Sequence, residues 1–223
     1  MKKHLFFLIL TISFISCKKS ITIIDKPIIF NETREELTLE YLDSHYDLKQ
    51  ETSTIVPKMV VVHWTQIPSL EKSFNAFNTE KLPNYREDIQ TASALNVSSQ
   101  FLIDQDGTIY RLMSETTMAR HVIGLNHCAI GIENVGGTDN MPLTDAQLKS
   151  NIELIKYLKG KYPIDYVIGH YEYTYFDGHE LWLEKDDGYR TKKVDPGKEF
   201  LTSVREGLSG YDWKEIPEKQ QDN

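Results

Sequence analysis

The sequence predicts an α/β fold, and three local patterns carry that reading. Met59-Val60-Val61-Val62-His63-Trp64-Thr65 is a continuous, largely β-branched run of the kind that fills a central strand covered on both faces. Phe101–Asp104 and Thr108–Leu112 flank Gln105-Asp106-Gly107, a hairpin in which Asp-Gly supplies the positive φ angles of the turn. Thr144-Asp145-Ala146-Gln147 is a capping box, and Leu148, Ile152, Ile155 and Leu158 follow it at helical spacing. Strand patterns that alternate with helical ones place the chain in the α/β class.

In chain order, Met1-Lys2-Lys3 followed by the eleven-residue run Leu5–Ile15 reads as an export signal, too short for a comfortable transmembrane helix. Phe14-Ile15-Ser16-Cys17 resembles a bacterial lipobox, which makes Cys17 the lipidated residue and 1–16 a removed signal peptide. Residues 17–56 read as a tether and peripheral extension with a short helix over Glu35–Leu42. A single folded domain is expected over 57–210. Within it, Ala129–Val135 is a second buried strand carrying Glu133, a carboxylate that packing alone does not explain. Tyr166–His170 is a third short strand, 171–192 an aromatic, charged insertion or lid, and Phe200, Leu201, Val204 and Leu208 mark a closing helix before a tail at 211–223.

The 223 residues carry 25 Lys and Arg against 33 Asp and Glu, a net charge of -8, with no basic stripe. This excludes a nucleic-acid backbone tracker, which needs clustered cationic charge. With 40% hydrophobic content the chain is long enough to bury its own core. Cys17 and Cys128 are the two cysteines; with Cys17 lipidated no intrachain disulfide is left, and Cys128 reads as a small buried apolar residue beside a strand.

Three residues have the chemistry of zinc ligands: His63 and His170, each at the end of an apolar strand, and Asp195 in Lys193-Val194-Asp195-Pro196-Gly197. Their separations match no short metal motif, so spacing alone leaves them open beside ordinary structural roles.

The segments around them, in this order, resemble the zinc-dependent type 2 N-acetylmuramoyl-L-alanine amidases, relatives of phage lysozyme amidases and of animal peptidoglycan recognition proteins. The pieces are Val61–Thr65, Val97–Asp104 with Asp106-Gly107, Asn126 with Ile130-Gly131-Ile132-Glu133, Leu143–Leu148, Ile168-Gly169-His170 and Lys193–Gly197. The resemblance implies a mixed central β-sheet flanked by helices, with one Zn2+ in an open groove at the strand ends. It assigns His63, His170 and Asp195 as metal ligands, Glu133 as general base, Lys193 as the cation that stabilises the oxyanion, and His121 and Asn126 as substrate contacts. The implied reaction cleaves the amide between the lactyl group of N-acetylmuramic acid and the L-alanine of the stem peptide.

The pattern departs from the family in three places. Arg120-His121-Val122-Ile123-Gly124 replaces an aromatic-His-Ala-Gly sequence, Ser99-Gln100 stands where relatives carry tyrosine or histidine, and 171–192 is longer than the usual loop. His179 inside that insertion is an alternative third ligand. The expected partners are peptidoglycan or muropeptides and, through the lipid, a bacterial membrane facing the periplasm; the expected state is a monomer. Two alternatives remain, a non-catalytic peptidoglycan-binding module and a zinc amidase acting on a different amide.

Overall fold

A computed structural model of the chain describes residues 21–83 and 92–218. Six strands form one sheet: β1 (Ile23–Asp25), β2 (Met59–Trp64), β3 (Phe101–Ile103), β4 (Ile109–Arg111), β5 (Ala129–Asn134) and β6 (Tyr166–Gly169), in the spatial order β1-β4-β3-β5-β2-β6. β2 pairs in parallel with both β5 and β6, and β3 continues the parallel set beyond β5. β4 runs antiparallel to β3 through the expected hairpin, so the sheet is mixed, with helices against it, as the resemblance implied.

Alternation along the strands divides the core into two layers. Val60, Val62, Ile130, Ile132, Phe101 and Val167 face helices α3 (Asp145–Lys161) and α4 (Lys198–Glu206), packing on Leu154, Ile155, Leu158 and Val204. Met59, Val61, Ala129, Tyr166 and Ile168 face the other way, onto Val122, Leu125, Tyr173 and Phe176. Each fully buried aliphatic side chain contributes about 1.5–3 kcal/mol, so the unbroken buried run of β2 holds its last residues firmly in place. The same two-residue period puts His63 and Glu133 on the second layer's side.

The Thr144 capping box is formed, its hydroxyl accepting from the Gln147 N–H at 3.1 Å and the Gln147 Oε1 from the Thr144 N–H at 3.0 Å. The buried Gln147 amide also donates to the carbonyls of Ile103 and Val135, tying the start of α3 to the ends of β3 and β5.

Of the expected tether and N-terminal extension, the part from Ile21 joins the fold: β1 extends the sheet beside β4, and the expected helix over Glu35–Leu42 is present but longer, running over Glu32–Tyr46 (α1). Its buried positions, Arg34, Thr38, Tyr41, Leu42, His45 and Tyr46, recur at helical spacing, but half of them are polar, so no apolar stripe marks the helix over its full length. The buried guanidinium of Arg34 is accommodated because its Nη2 donates to the carbonyls of Phe77 and Asn78 at the end of helix α2 (Leu70–Asn78), an element the sequence patterns did not mark.

The expected insertion or lid packs against the rest of the domain. A 3-10 segment, His170–Phe176, buries Tyr173 and Phe176 in the core, and farther on Glu184 pairs with His45 of α1. Within the tail, the Trp213 indole donates to the Leu208 carbonyl and Lys214 pairs with Asp165, so the chain is held to the domain past residue 210. Cys128 is buried as expected, and that burial pushes its thiol up to about 12. Cys17 and the signal segment 1–16 lie outside the described residues.

Candidate metal centre and groove

The parallel strands β2, β5 and β6 end together, where open α/β sheets collect ligands. β2 delivers His63, β5 delivers Glu133 as its register partner, and His170 is the first residue past β6. Asp195 arrives from the far end of the insertion, and its carbonyl accepts from the Tyr171 N–H at 3.1 Å, which fastens it beside β6.

The three donor atoms form a nearly equilateral triangle. His63 Nδ1 and His170 Nδ1 are 3.0 Å apart, and Asp195 Oδ2 lies 3.1 Å from the first and 3.0 Å from the second. Hydrogen bonds alone do not satisfy such a triangle, because two imidazole N–H groups that both point at one carboxylate oxygen also point at each other. Tetrahedral zinc with ligands at ~2.0–2.1 Å separates neighbouring ligand atoms by about 3.3 Å, so two imidazoles and a carboxylate converging in this way fit the ion.

The electrostatics agree. Burial pushes His170 down to about 4, against the opposing pull of Asp195, and leaves its ring neutral with a lone pair to give. Burial opposes ionisation of Asp195, but its close contacts with His170 and His63 outweigh it and hold the carboxyl well below the usual range, so Asp195 is the anionic corner of the triangle.

His63, His170, Asp195, Glu133, Lys193 and His121 line one groove of about 320 Å³. The two residues expected at the substrate, His121 and Asn126, line this groove and also bond within the protein. The Asn126 side-chain oxygen accepts from the N–H groups of His121 and Val122, and its nitrogen donates to the Tyr46 hydroxyl. His121 sits behind His63, its Nδ1 3.0 Å from His63 Nε2 and its Nε2 3.4 Å from the Ala129 carbonyl. His179, the alternative ligand, lies apart from the triangle, accepting from the Leu181 N–H and facing the Tyr166 hydroxyl.

Gln100 and Ser99 are also engaged internally. Gln100 accepts from the Gly131 N–H and donates to the Thr117 carbonyl, while the Ser99 hydroxyl donates to the Phe101 carbonyl. Sequence patterns missed Tyr41 of α1 and Tyr189 of the insertion, which join the groove wall beside Arg120. The aromatic density of the insertion was the signal for Tyr189; none pointed to Tyr41.

Residues 52–198, well over half of the chain, match the family model Amidase_2, described as N-acetylmuramoyl-L-alanine amidase. The chain belongs to this amidase family. Among relatives, the endolysin of Escherichia phage T7 is 34% identical over 83 residues, a match covering 35% of this chain and 55% of the endolysin, so the chain spans about half of that relative's length. Among solved structures, the N-acetylmuramoyl-L-alanine amidase LysC from Clostridium intestinale superposes with a TM-score of 0.51 at 21% identity, over 85% of this chain and 99% of that one. Bumblebee PGRP-SA gives the same TM-score at 18% identity, over 88% of this chain and 99% of its own. At such identities the structural likeness is one of fold, and the mixed sheet of the amidase family is the sheet found here.

Proposed function

We propose that this member of the amidase family is a zinc-dependent N-acetylmuramoyl-L-alanine amidase that releases stem peptides from peptidoglycan or its fragments. The observation that carries the proposal is the triangle of His63, His170 and Asp195 with Glu133 as the register neighbour of His63. A zinc ion held by those three residues supplies Lewis-acid polarisation of the scissile carbonyl and an acidified water.

The protein's own groups do the rest. Glu133 takes a proton from the water that adds to the carbonyl carbon, and returns it to the alanine nitrogen as the carbon–nitrogen bond breaks. Lys193, at the groove beside His170 and Asp195, places its ammonium near the oxygen that becomes negative, which stabilises the tetrahedral intermediate. Trp64 and Tyr189 also line the groove. The two neutral products are a lactyl carboxylic acid and a free amine, ionised afterwards in water.

The test is mass spectrometry of muropeptides incubated with the purified protein, with and without chelation and zinc add-back. Release of free stem peptide from intact glycan, abolished by the chelator and restored by zinc, supports the proposal. Peptidoglycan binding without release, with zinc bound or not, instead assigns the chain to binding.

We propose as well that the protein works in the cell envelope, exported and lipid-anchored through Cys17. The support is the residue pattern Met1–Cys17. Fractionation of a Cys17→Ser variant into soluble rather than membrane fractions is the expected result.

A further inference from the structure

We infer that His121 is a positioning residue for the metal centre: it fixes the tautomer of His63, so that the Nδ1 lone pair of His63 faces His170 and Asp195. The inference rests on the zinc reading above and concerns how the protein prepares the site.

The argument starts at a backbone carbonyl, which only accepts hydrogen bonds. The Ala129 carbonyl lies 3.4 Å from His121 Nε2, so the ring proton of His121 sits on Nε2. His121 Nδ1 is then an acceptor. It stands 3.0 Å from His63 Nε2, and of two nitrogens at that distance one must donate, so the proton of His63 is on Nε2. A neutral His63 with its proton on Nε2 carries its lone pair on Nδ1, the atom at the corner of the ligand triangle. The opposite assignment puts the His121 Nε2 lone pair against the carbonyl lone pairs of Ala129, a repulsive contact in a buried place.

Two further features keep the relay in position. Gly131 of β5 leaves the space the ring occupies, because a Cβ there would stand 3.0 Å from His121 Cγ and Cδ2. Asn126 grips the backbone at His121 and Val122 with bonds of 2.9 and 2.8 Å, setting where the ring enters. The glycine of Ile130-Gly131-Ile132-Glu133 thus makes room for the residue that orients His63, and the glutamate ends the same strand beside it. Outer partners of this kind raise ligand basicity and restrict the ring to its binding orientation.

The experiment measures zinc affinity by competition with a chromophoric chelator, and the ring proton of His63 by long-range nitrogen–proton NMR of the full-length protein stripped of zinc by chelation. His121→Leu removes the acceptor and should weaken zinc binding by about 10–100-fold. His121→Asn returns an acceptor oxygen near the Nδ1 position and should recover most of that loss. In the wild-type protein the His63 proton is expected on Nε2. Equal zinc affinity in wild type, Leu and Asn variants, or a His63 proton found on Nδ1, overturns the inference. If the Leu variant does not fold, the wild-type spectrum still decides. A wild-type protein that binds no zinc at all is a separate outcome: it overturns the metal reading first, and the role of His121 with it.

Discussion

His63 and Glu133 are direct register partners on neighbouring parallel strands, four residues on from the paired Met59 and Ala129. Residues paired in this way emerge on the same face of the sheet, so a ligand donor and a carboxylate are brought side by side by backbone hydrogen bonds rather than by a flexible loop. A slip of one residue in β5 would turn Glu133 to the helix-covered face and bring Asn134, now bonded to Asn151 of α3, to the groove.

That placement predicts the behaviour of Glu133→Gln. Zinc content should be unchanged, because Glu133 is outside the ligand triangle, while kcat on muropeptides should fall by about 10²–10⁴-fold. Parallel metal analysis and steady-state kinetics check both halves; an unchanged kcat would remove Glu133 from the proton transfers.

Asp195→Ala and His179→Ala separate the ligand from its rival. Asp195 contributes one corner of the triangle, whereas His179 is taken up by Leu181 and Tyr166. Zinc occupancy by elemental analysis should drop in the first variant and stay complete in the second. The reverse pattern would move the third ligand into the insertion.

Lys193→Met tests the oxyanion role. With the ammonium gone and most of the aliphatic stem kept, kcat should fall by about 10²–10³-fold with zinc retained, and the substrate KM should change far less. A variant that instead raises KM alone would assign Lys193 to ground-state binding.

His45 and Glu184 predict a pH-dependent stability. His45 Nδ1 lies 2.9 Å from Glu184 Oε1 and its Nε2 2.9 Å from the Ala92 carbonyl, so both nitrogens donate and the ring is an imidazolium. Burial opposes that charge, but the bonds to Glu184 and Ala92 outweigh it and raise the pKa above the ordinary histidine value. A raised histidine stabilises the fold fully below its unfolded pKa of about 6.5 and loses that contribution as pH climbs through the folded value. Urea midpoints of the wild type should therefore fall relative to those of His45→Gln as pH rises from near 6 through the alkaline side of neutrality. Parallel curves for the two proteins would show that the pair carries no linked proton. Because one partner is removed from a buried ion pair, the variant should be about 3–5 kcal/mol less stable at acid to neutral pH.

Gly137→Ala tests the support under Trp64. Gly137 has φ of +89°, and a Cβ there would come within 2.4 Å of the indole. Overpacking of this kind costs about 1–3 kcal/mol, and a melting temperature equal to wild type would show that Trp64 has room to move.

Much of the interior was legible residue by residue. The buried run of β2, the Asp-Gly hairpin, the Thr144 capping box and the helix behind it are local patterns, set by side-chain period, turn conformation and end-group hydrogen bonds that a short stretch of chain decides for itself. The family was legible too, because its segments recur in order around His63, Glu133, His170 and Asp195. Tertiary structure alone decided the rest. The full extent of α1, beyond the expected Glu35–Leu42, was hidden because Arg34, Thr38 and His45 lie on its buried face: Arg34 and His45 are tolerated there through partners distant in sequence, at Phe77, Asn78 and Glu184, and Thr38 through the Arg34 carbonyl within the helix. The protein partners of Asn126 and His121 were hidden for the same reason: a polar side chain carries no mark of which distant groups it will bond, and only the fold brings Tyr46, Ala129 and His63 against them.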